Sequence, residues 1–425
     1  MGSRVGDGAR APSADPPEQA RTLRVLVAAQ ILSGAGLAAG ITVGALLARD
    51  MLGSTSAAGV PAMLFTVGAA GSAMGIGRIS HVRGRRIGLG LGYLAGAIGA
   101  AGVVLAAVLD SVPVLFVFLV IYGAGSAANL QARYAGADLA APGRRARAVA
   151  IVLVATTVGA IVGPNLSKAM GDVASALGAP ALAGPFILAS VAYAGSAAVL
   201  WWMLKPDPLL LARERAANEP SPEGLGSAEG GAARRGSSVA MGAVVMVVAQ
   251  MVMIAIMTMT PVHMALHGHG LGAAGFVIAV HVAAMYLPSP LSGWLVDRYG
   301  VRRVAALSGV VFLGSALTAA LGSGDSLVAM SAALALLGLG WSLGLVSGTA
   351  MVTAAAPGAT RATVQGNVDF LIALAGATGG AISGVVVAHA SFAALAFGGG
   401  ALALALVPFV AVRPRSIREK GGDSD

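Results

Sequence analysis

Gly293-Trp-Leu-Val-Asp297-Arg-Tyr-Gly300-Val-Arg-Arg303 is a short polar stretch between two long apolar segments, and an earlier part of the chain echoes it. The earlier copy reads Gly77-Arg-Ile-Ser-His-Val-Arg-Gly84-Arg-Arg. A second echo, Ala-Pro-Gly, begins at Ala141 and again at Ala356. In both cases the two copies are about 215 residues apart, roughly half the chain, which indicates a duplicated unit.

The composition predicts a membrane protein. Of the 425 residues, 57% are hydrophobic and only 11% are charged. A soluble domain carries roughly 25% charged residues, so this chain lacks the polar surface that a water-soluble fold needs. Apolar runs of about 20 residues, long enough to cross a bilayer as helices, follow one another along the chain. The predicted fold class is therefore all-α integral membrane.

Twelve apolar runs predict twelve transmembrane helices in two pseudo-symmetric bundles of six. The predicted spans are residues 23–47, 56–75, 87–108, 112–132, 149–170, 181–204, 239–260, 273–296, 304–321, 326–348, 364–387 and 393–412. The chain then divides into a disordered tail (1–21), an N-terminal bundle (22–205), a polar cytoplasmic linker (206–238), a C-terminal bundle (239–412) and a cytoplasmic tail (413–425).

The net charge of +9 is distributed in a way that argues against nucleic-acid binding. Arginine and lysine cluster in the tails and in the loops on one side of the twelve-span arrangement, and only Arg49 and Lys168 fall on the other side. This asymmetry follows the positive-inside rule. It predicts a multi-pass protein of the bacterial cytoplasmic (inner) membrane with both termini in the cytoplasm.

The repeated polar loops resemble the signature of the major facilitator superfamily, Gly-x-Leu-x-Asp-Arg-x-Gly-x-Arg-Arg. The second copy matches it well, whereas His81 stands where the family has Asp in the first copy. The resemblance implies two bundles around a central cavity that opens alternately to either side, with a cytoplasmic gate. Asp369 is expected either to act as a substitute charge that pairs with Arg83, Arg85 or Arg86, or to be a polar residue at a helix entry that only reaches water. The gate residues are then Gly77, Gly84, Arg85, Gly293, Asp297, Arg298, Gly300 and Asp369.

Two pairs of soft metal ligands occur within predicted spans. Span seven contains Met253-Ile-Ala-Ile-Met257, and span eight contains His281-Val-Ala-Ala-Met285. Residues four apart share one face of a helix, so each pair points in one direction. Thioether and imidazole suit copper, and thioether favours Cu(I). A methionine stripe is more often simple packing, but an imidazole inside a membrane helix indicates a functional site.

The two pairs together resemble the CcoA-type copper importers of the same superfamily. That resemblance implies copper import by alternating access, with Met253, Met257, His281 and Met285 as the metal site. Span eight follows span seven directly in the chain and is expected to lie beside it. At the external mouth, His263, Met264 and His267 form a candidate capture site; the alternative is that these are ordinary solvated histidines.

The sequence is also compatible with other functions. A small-organic or drug exporter of the same fold, a nickel or cobalt carrier that uses the external histidines, and a membrane sensor are the alternatives. No enzyme signature appears, and no cofactor is predicted apart from copper as the transported substrate. The chain has no cysteine, which excludes disulfides and thiolate metal sites. The expected partners are the copper ion, the lipid bilayer and a cytoplasmic thiol copper acceptor, with a monomer as the family expectation.

Overall fold

The computed structural model describes residues 15–52, 60–218 and 228–411, and within these ranges the chain is helical and contains no strand. Two short 3-10 turns, Pro142–Arg144 and Ala181–Ala183, precede α5 and α7. The helices are α1 (Pro17–Leu52), α2 (Val60–Arg83), α3 (Arg85–Val108), α4 (Val112–Ala137), α5 (Arg145–Asn165), α6 (Ser167–Ala176), α7 (Gly184–Met203), α8 (Pro208–Asn218), α9 (Ala228–Leu266), α10 (Leu271–Tyr286), α11 (Ser289–Tyr299), α12 (Val301–Leu321), α13 (Leu327–Ala355), α14 (Arg361–His389), α15 (Phe392–Leu404) and α16 (Leu406–Ala411).

The predicted spans correspond to these helices. Ten segments in the described ranges are long and apolar enough to cross a membrane, and they match predicted spans three to twelve. Helices α1 and α2 occupy the positions predicted for the first two spans. The all-helical membrane fold predicted from the sequence is confirmed.

Several spans are broken into two helices. Span eight consists of α10 and α11, and Pro288 and Pro290 lie at the break. Proline has no N–H to donate and its ring clashes with the preceding turn, so a helix tends to end before it. Because of this break, the candidate ligands His281 and Met285 lie on α10, and the repeated polar loop lies at the end of α11.

Each half has its own core. In the first half, the ring of Tyr122 packs against Phe65, Phe186 and Tyr193, with ring centroids 5.4, 5.6 and 5.8 Å away. In the second half, one apolar cluster joins α9 to α15 and continues into α5. Glycine and alanine on many helix faces let the backbones approach closely, as is usual between membrane helices.

The helices of the second half do not follow chain order around the bundle. Helix α13 packs against both α9 and α10, whereas α9 and α10 contact each other only slightly. A Cβ at Gly338 of α13 would lie 2.5 Å from the carbonyl oxygen of His281, so glycine allows α10 to approach this closely. The assumption that spans seven and eight are direct neighbours is therefore wrong, because α13 packs between them.

The two halves meet closely at the end of the molecule that carries α8 and the repeated polar loops, called here the linker end. There α2 packs against α14, and α5 packs against α11. A Cβ at Gly77 would lie 2.8 Å from the carbonyl oxygen of Ala362, and one at Gly293 would lie 2.8 Å from that of Ala146. At these two positions the helices of the two halves are so close that no residue larger than glycine fits between them.

Three predicted boundaries are wrong in part. The first helix begins at Pro17, because proline suits the first turn of a helix and Gln19 is buried and donates to the carbonyl of Gly136 at 2.7 Å. The predicted linker contains α8, and α9 starts at Ala228 rather than at residue 239. Residues 1–14, 219–227 and 412–425 of the predicted tails and linker lie outside the described residues.

Candidate transport site and gate

The second polar loop holds the two halves together at the linker end. Asp297, near the end of α11, accepts hydrogen bonds from the backbone N–H groups of Ala146 (3.2 Å) and Arg147 (3.1 Å) in the first turn of α5. A carboxylate at a helix N-terminus satisfies free N–H groups and interacts favourably with the helix dipole. Gly300 follows with φ of 90°, a conformation that favours glycine. Arg298 is exposed in the last turn of α11.

The first polar loop is arranged differently. Gly84, with φ of 85°, precedes α3, and Asp207 accepts a hydrogen bond from the backbone N–H of Arg86 at 2.8 Å. His81 stands at the family's Asp position, and Arg213 of α8 donates to its Nδ1 at 3.0 Å. The degenerate loop therefore makes its contacts to the linker region.

The buried Arg85 joins both halves. Its Nε donates to Asp138 at 2.8 Å, and its other guanidinium nitrogen donates to the side-chain oxygen of Gln365 on α14. Both charged partners are fully buried. A buried ion pair of this kind is costly to break, because separation leaves an uncompensated charge in a dry site.

Asp369 pairs with an arginine that the sequence analysis did not choose. Arg133 of α4 donates to Asp369 at 2.6 Å, and the hydroxyl of Tyr134 donates to the same carboxylate at 3.2 Å. Arg133 also donates to Thr349 of α13 at 3.0 Å. The predicted pairing with Arg83, Arg85 or Arg86 is wrong, because Arg85 is already held by Asp138 and Gln365.

Several residues of the gate were missed by the sequence analysis. The charge pattern assigns Arg133 to a basic cluster that sets topology, and it does not single out Asp138, Asp207 or Arg213. The sequence feature that could have indicated these residues is an acidic and a basic residue inside or directly beside an apolar span. Charged side chains are energetically unfavourable there, so they indicate a functional role. Arg133 and Asp138, near the end of span four, satisfy that criterion.

His281 is fully buried on α10. Its Nδ1 lies 2.9 Å from the carbonyl oxygen of Leu334 on α13. A carbonyl only accepts, so Nδ1 carries the proton and Nε2 carries a lone pair. Within the described residues, this buried Nε2 has no hydrogen-bond partner.

The three methionines of the predicted site lie in the second half. Met253 of α9 and Met285 of α10 are 3% and 7% exposed, and both belong to the apolar cluster of that half. Met257 is partly buried against the same cluster. Met285 lies one turn beyond His281 on the buried stripe of α10. The structure thus places the three methionines in or against one apolar cluster, but on two helices that α13 separates.

An aromatic and amide group lies close to this cluster. The indole N–H of Trp341 on α13 donates to the side-chain oxygen of Gln250 on α9 at 2.8 Å. The ring of Tyr286 on α10 meets Trp341 edge-on, with centroids 5.6 Å apart. The rings of Trp341 and Tyr286 and the side-chain amide of Gln250 therefore lie together where α13 packs against α9 and α10.

The external histidines are already engaged by neighbouring groups. The ring of His263 stacks on Phe392 with centroids 4.2 Å apart, and it lies 4.3 Å from the ring of His267. Helix α9 continues through Pro261 to Leu266; prolines are tolerated in membrane helices when nearby groups compensate. Met264 is fully buried, so apolar packing accounts for it.

If the chain carries copper, as the sequence predicts, replacing His263, His267 and His269 together with alanine should leave copper uptake within about twofold of wild type, because neighbouring groups already engage these rings. His267 and His269 also hydrogen-bond to the carbonyls of His263 (2.8 Å) and Gly324 (3.1 Å). Metal uptake into liposomes, measured with copper, nickel and cobalt in parallel, checks this. A loss of nickel or cobalt uptake in the triple variant would instead favour a nickel or cobalt carrier.

Comparison with known proteins identifies the family. The sequence model of the Major Facilitator Superfamily matches residues 26–287 and 242–425. The chain belongs to this superfamily. It is 53% identical over 393 residues to the uncharacterized MFS-type transporter YdeG of Bacillus subtilis (strain 168), covering 92% of this chain and 91% of that one. It is 30% identical over 355 residues to the riboflavin transporter RfnT of Brucella anthropi, covering 83% of this chain and 85% of that one.

Solved structures of the superfamily share the fold. The human organic anion transporter MFSD10 matches with a TM-score of 0.72 at 16% identity, over 93% of this chain and 100% of that one. The proton:xylose symporter XylE matches with a TM-score of 0.70 at 16% identity, over 92% of this chain and 95% of that one. The prediction of a major facilitator transporter rather than an enzyme is confirmed. The finer resemblance to CcoA-type copper importers stays a prediction.

Proposed function

We propose that this major facilitator protein carries copper across the membrane, and that His281 supplies the central ligand. The linker end faces the cytoplasm, as the basic loops predict. Copper enters from the opposite side, passes along the thioether and imidazole ligands of the second half, and leaves when the linker end opens. The single observation that carries the proposal is the buried Nε2 of His281, which has no hydrogen-bond partner in the part of the chain that the structure describes.

The hydrogen bond of His281 favours metal binding. Metal-binding histidines usually donate their second ring N–H to a carbonyl or carboxylate, which fixes the tautomer and the ring orientation. The bond from Nδ1 to Leu334 does this and leaves the Nε2 lone pair available. An acceptor without a partner in an apolar interior is unfavourable by about 1–3 kcal/mol, so a ligand for it stabilises the site.

The surrounding sulfur atoms favour a soft cation. Met285 lies one turn from His281, and Met253 belongs to the same apolar cluster. Because α13 packs between α9 and α10, the two pairs act as successive two-ligand stations rather than as one closed cage of four. Sites with few thioether and imidazole ligands bind Cu(I) and release it readily to stronger thiolate ligands, such as those of a cytoplasmic acceptor.

Copper uptake by the purified protein in liposomes tests the proposal. Wild-type protein should take up Cu(I), supplied with a reductant, well above protein-free liposomes, and a thiol chelator trapped inside should raise the extent of uptake. Comparison with and without a pH gradient shows whether protons take part. Uptake no greater than in empty liposomes, with protein correctly inserted, would contradict the copper assignment.

A second candidate function is transport of a planar organic heterocycle. The rings of Trp341 and Tyr286 and the amide of Gln250 can stack on and hydrogen-bond to such a molecule. The similarity to the riboflavin transporter RfnT supports this reading. Ligand sites are commonly apolar and aromatic, with a few polar groups that fix orientation.

Replacing Trp341 with alanine separates the two candidates. If the protein carries a flavin-like heterocycle, W341A should lower riboflavin uptake into liposomes at least about tenfold, because stacking on an aromatic ring contributes roughly 1 kcal/mol or more in addition to the large area buried. Copper uptake should be largely kept in W341A. Absence of riboflavin uptake by the wild-type protein would remove this second candidate.

A further inference from the structure

The linker helix α8 is fixed to the first half at both of its ends. At its start, Asp207 accepts hydrogen bonds from the N–H groups of Leu209 (3.0 Å) and Arg86 (2.8 Å), so one carboxylate caps both α8 and α3. Near its end, Arg215 pairs with Glu18 of α1 at 2.9 Å. A short helix held at two points on one bundle moves with that bundle.

The middle of α8 reaches across to the second half. The guanidinium of Arg213 donates to the carbonyl of His81 at 2.7 Å and contacts its Nδ1 at 3.0 Å, both at the end of α2. It also donates to the carbonyls of Gly358 (3.1 Å) and Ala359 (3.0 Å) in the loop between α13 and α14. One side chain therefore binds the end of a first-half helix and a second-half loop at the same time.

We propose that Arg213 is a gating residue of the transport cycle, which holds the linker end closed by joining the two halves. Opening of this end requires α2 to separate from α14, and α8 stays with the first half. The bonds to Gly358 and Ala359 must then break, while those to His81 can persist. Only the flat, five-donor guanidinium can serve both sides, because a lysine ammonium is a single point on a flexible stem.

The substitution of histidine for the family's acidic residue fits this role. A carboxylate at position 81 would form an ion pair with Arg213, whereas neutral imidazole offers one lone pair at Nδ1. The contacts of Arg213 to the second half are charge-assisted bonds to carbonyls alone. These hydrogen bonds are strong enough to favour the closed state over the open one. They are weak enough to break in each transport cycle.

The absence of native cysteine makes a direct test simple, since two introduced cysteines are the only labelling sites. Gly143, where an added Cβ meets nothing within 4 Å, and Thr360, an exposed residue before α14, report on opposite halves at the linker end. Spin labels are attached at G143C and T360C. Pulsed electron paramagnetic resonance then gives the distribution of distances between the two halves. The readout is the ratio of the long-distance to the short-distance population.

R213A should raise that ratio about tenfold, because it removes several bonds from a charged group to the second half. R213K should give an intermediate value. The matched control is R215A, which changes the same charge on the same helix but removes a half-exposed contact within the first half, while Asp207 still anchors the start of α8. R215A should therefore stay within about twofold of wild type. The bond from Arg215 lowers the pKa of Glu18, so R215A has its own expected titration effect.

The test separates a gating role from a structural one. R213A, and R213Q should R213A fail to insert, must keep normal expression and normal thermal unfolding while the distance distribution changes. If the folded variant has the wild-type distribution, or if R215A changes it as much as R213A does, the proposal is overturned. None of these outcomes depends on which substrate the protein carries.

Discussion

Replacing His281 with alanine should abolish copper uptake, with a loss of at least about tenfold in initial rate, because the change removes the proposed metal ligand itself rather than a supporting group. The same variant should bind Cu(I) correspondingly more weakly in competition with a chelator. H281M should keep part of the activity because thioether is also a soft ligand. H281N should not, although its amide can still donate to the carbonyl of Leu334, because its oxygen is a poor ligand for Cu(I).

The matched control for His281 is His389. Its Nδ1 also lies 2.9 Å from a backbone carbonyl, that of Val385, but it is exposed at the end of α14. H389A should transport copper normally. M330L, at a fully buried methionine of α13 outside both pairs, controls for loss of sulfur in the core. Equal uptake by H281A and H389A, with equal amounts of folded protein, would show that the imidazole of His281 has no role.

Replacing Asp369 with alanine should destabilise the closed linker end more than any other single change at the gate. Arg133 would stay buried without its counter-ion, which costs about 3–5 kcal/mol when one partner of a buried pair is removed. The unpaired charge of Arg133 destabilises the closed state. When the two halves are apart, water can reach Arg133 and solvate that charge. D369A should therefore shift the G143C/T360C distance distribution towards separation and lower the thermal midpoint.

The double variant R133M/D369L is the control for Asp369. Replacing both members of a buried ion pair with apolar residues is often close to neutral for stability. The double variant should therefore recover much of the thermal stability that D369A loses, and the double-mutant cycle should show a coupling energy of about 0.5–3 kcal/mol. Strict additivity of the two single variants would mean that Arg133 and Asp369 do not interact as the structure places them.

The helices and the duplicated halves could be predicted because they depend on local composition. The apolar runs that end at Leu321 and begin at Leu327 define α12 and α13 without any tertiary information. Likewise, the residues of the polar loop around Asp297 are enough by themselves to predict that a helix ends there. The sequence could not show that α13 lies between α9 and α10, because the order of helices around a bundle is set by packing between distant segments, here through Gly338.

The charged contacts were harder to predict for a related reason. Asp369 could pair with any arginine near the same depth, and the choice of Arg133 follows from Arg85 being occupied by Asp138. These partners lie far apart in sequence. Helix α8 was hidden because its composition is polar throughout, and what fixes it are the contacts of Asp207 and Arg213. The polar composition predicts a linker in this part of the chain, but it carries no information on which residues that segment contacts.

X-ray absorption of the Cu(I)-loaded protein tests most directly whether His281 and the methionines hold the cargo. At the His281 and Met285 station, wild-type protein should show one nitrogen and one sulfur scatterer at about 2.0–2.3 Å, the distances usual for imidazole and sulfur ligands of a first-row metal. The nitrogen contribution should disappear in H281A and remain in H389A. A spectrum with oxygen ligands only, or one unchanged in H281A, would contradict the account.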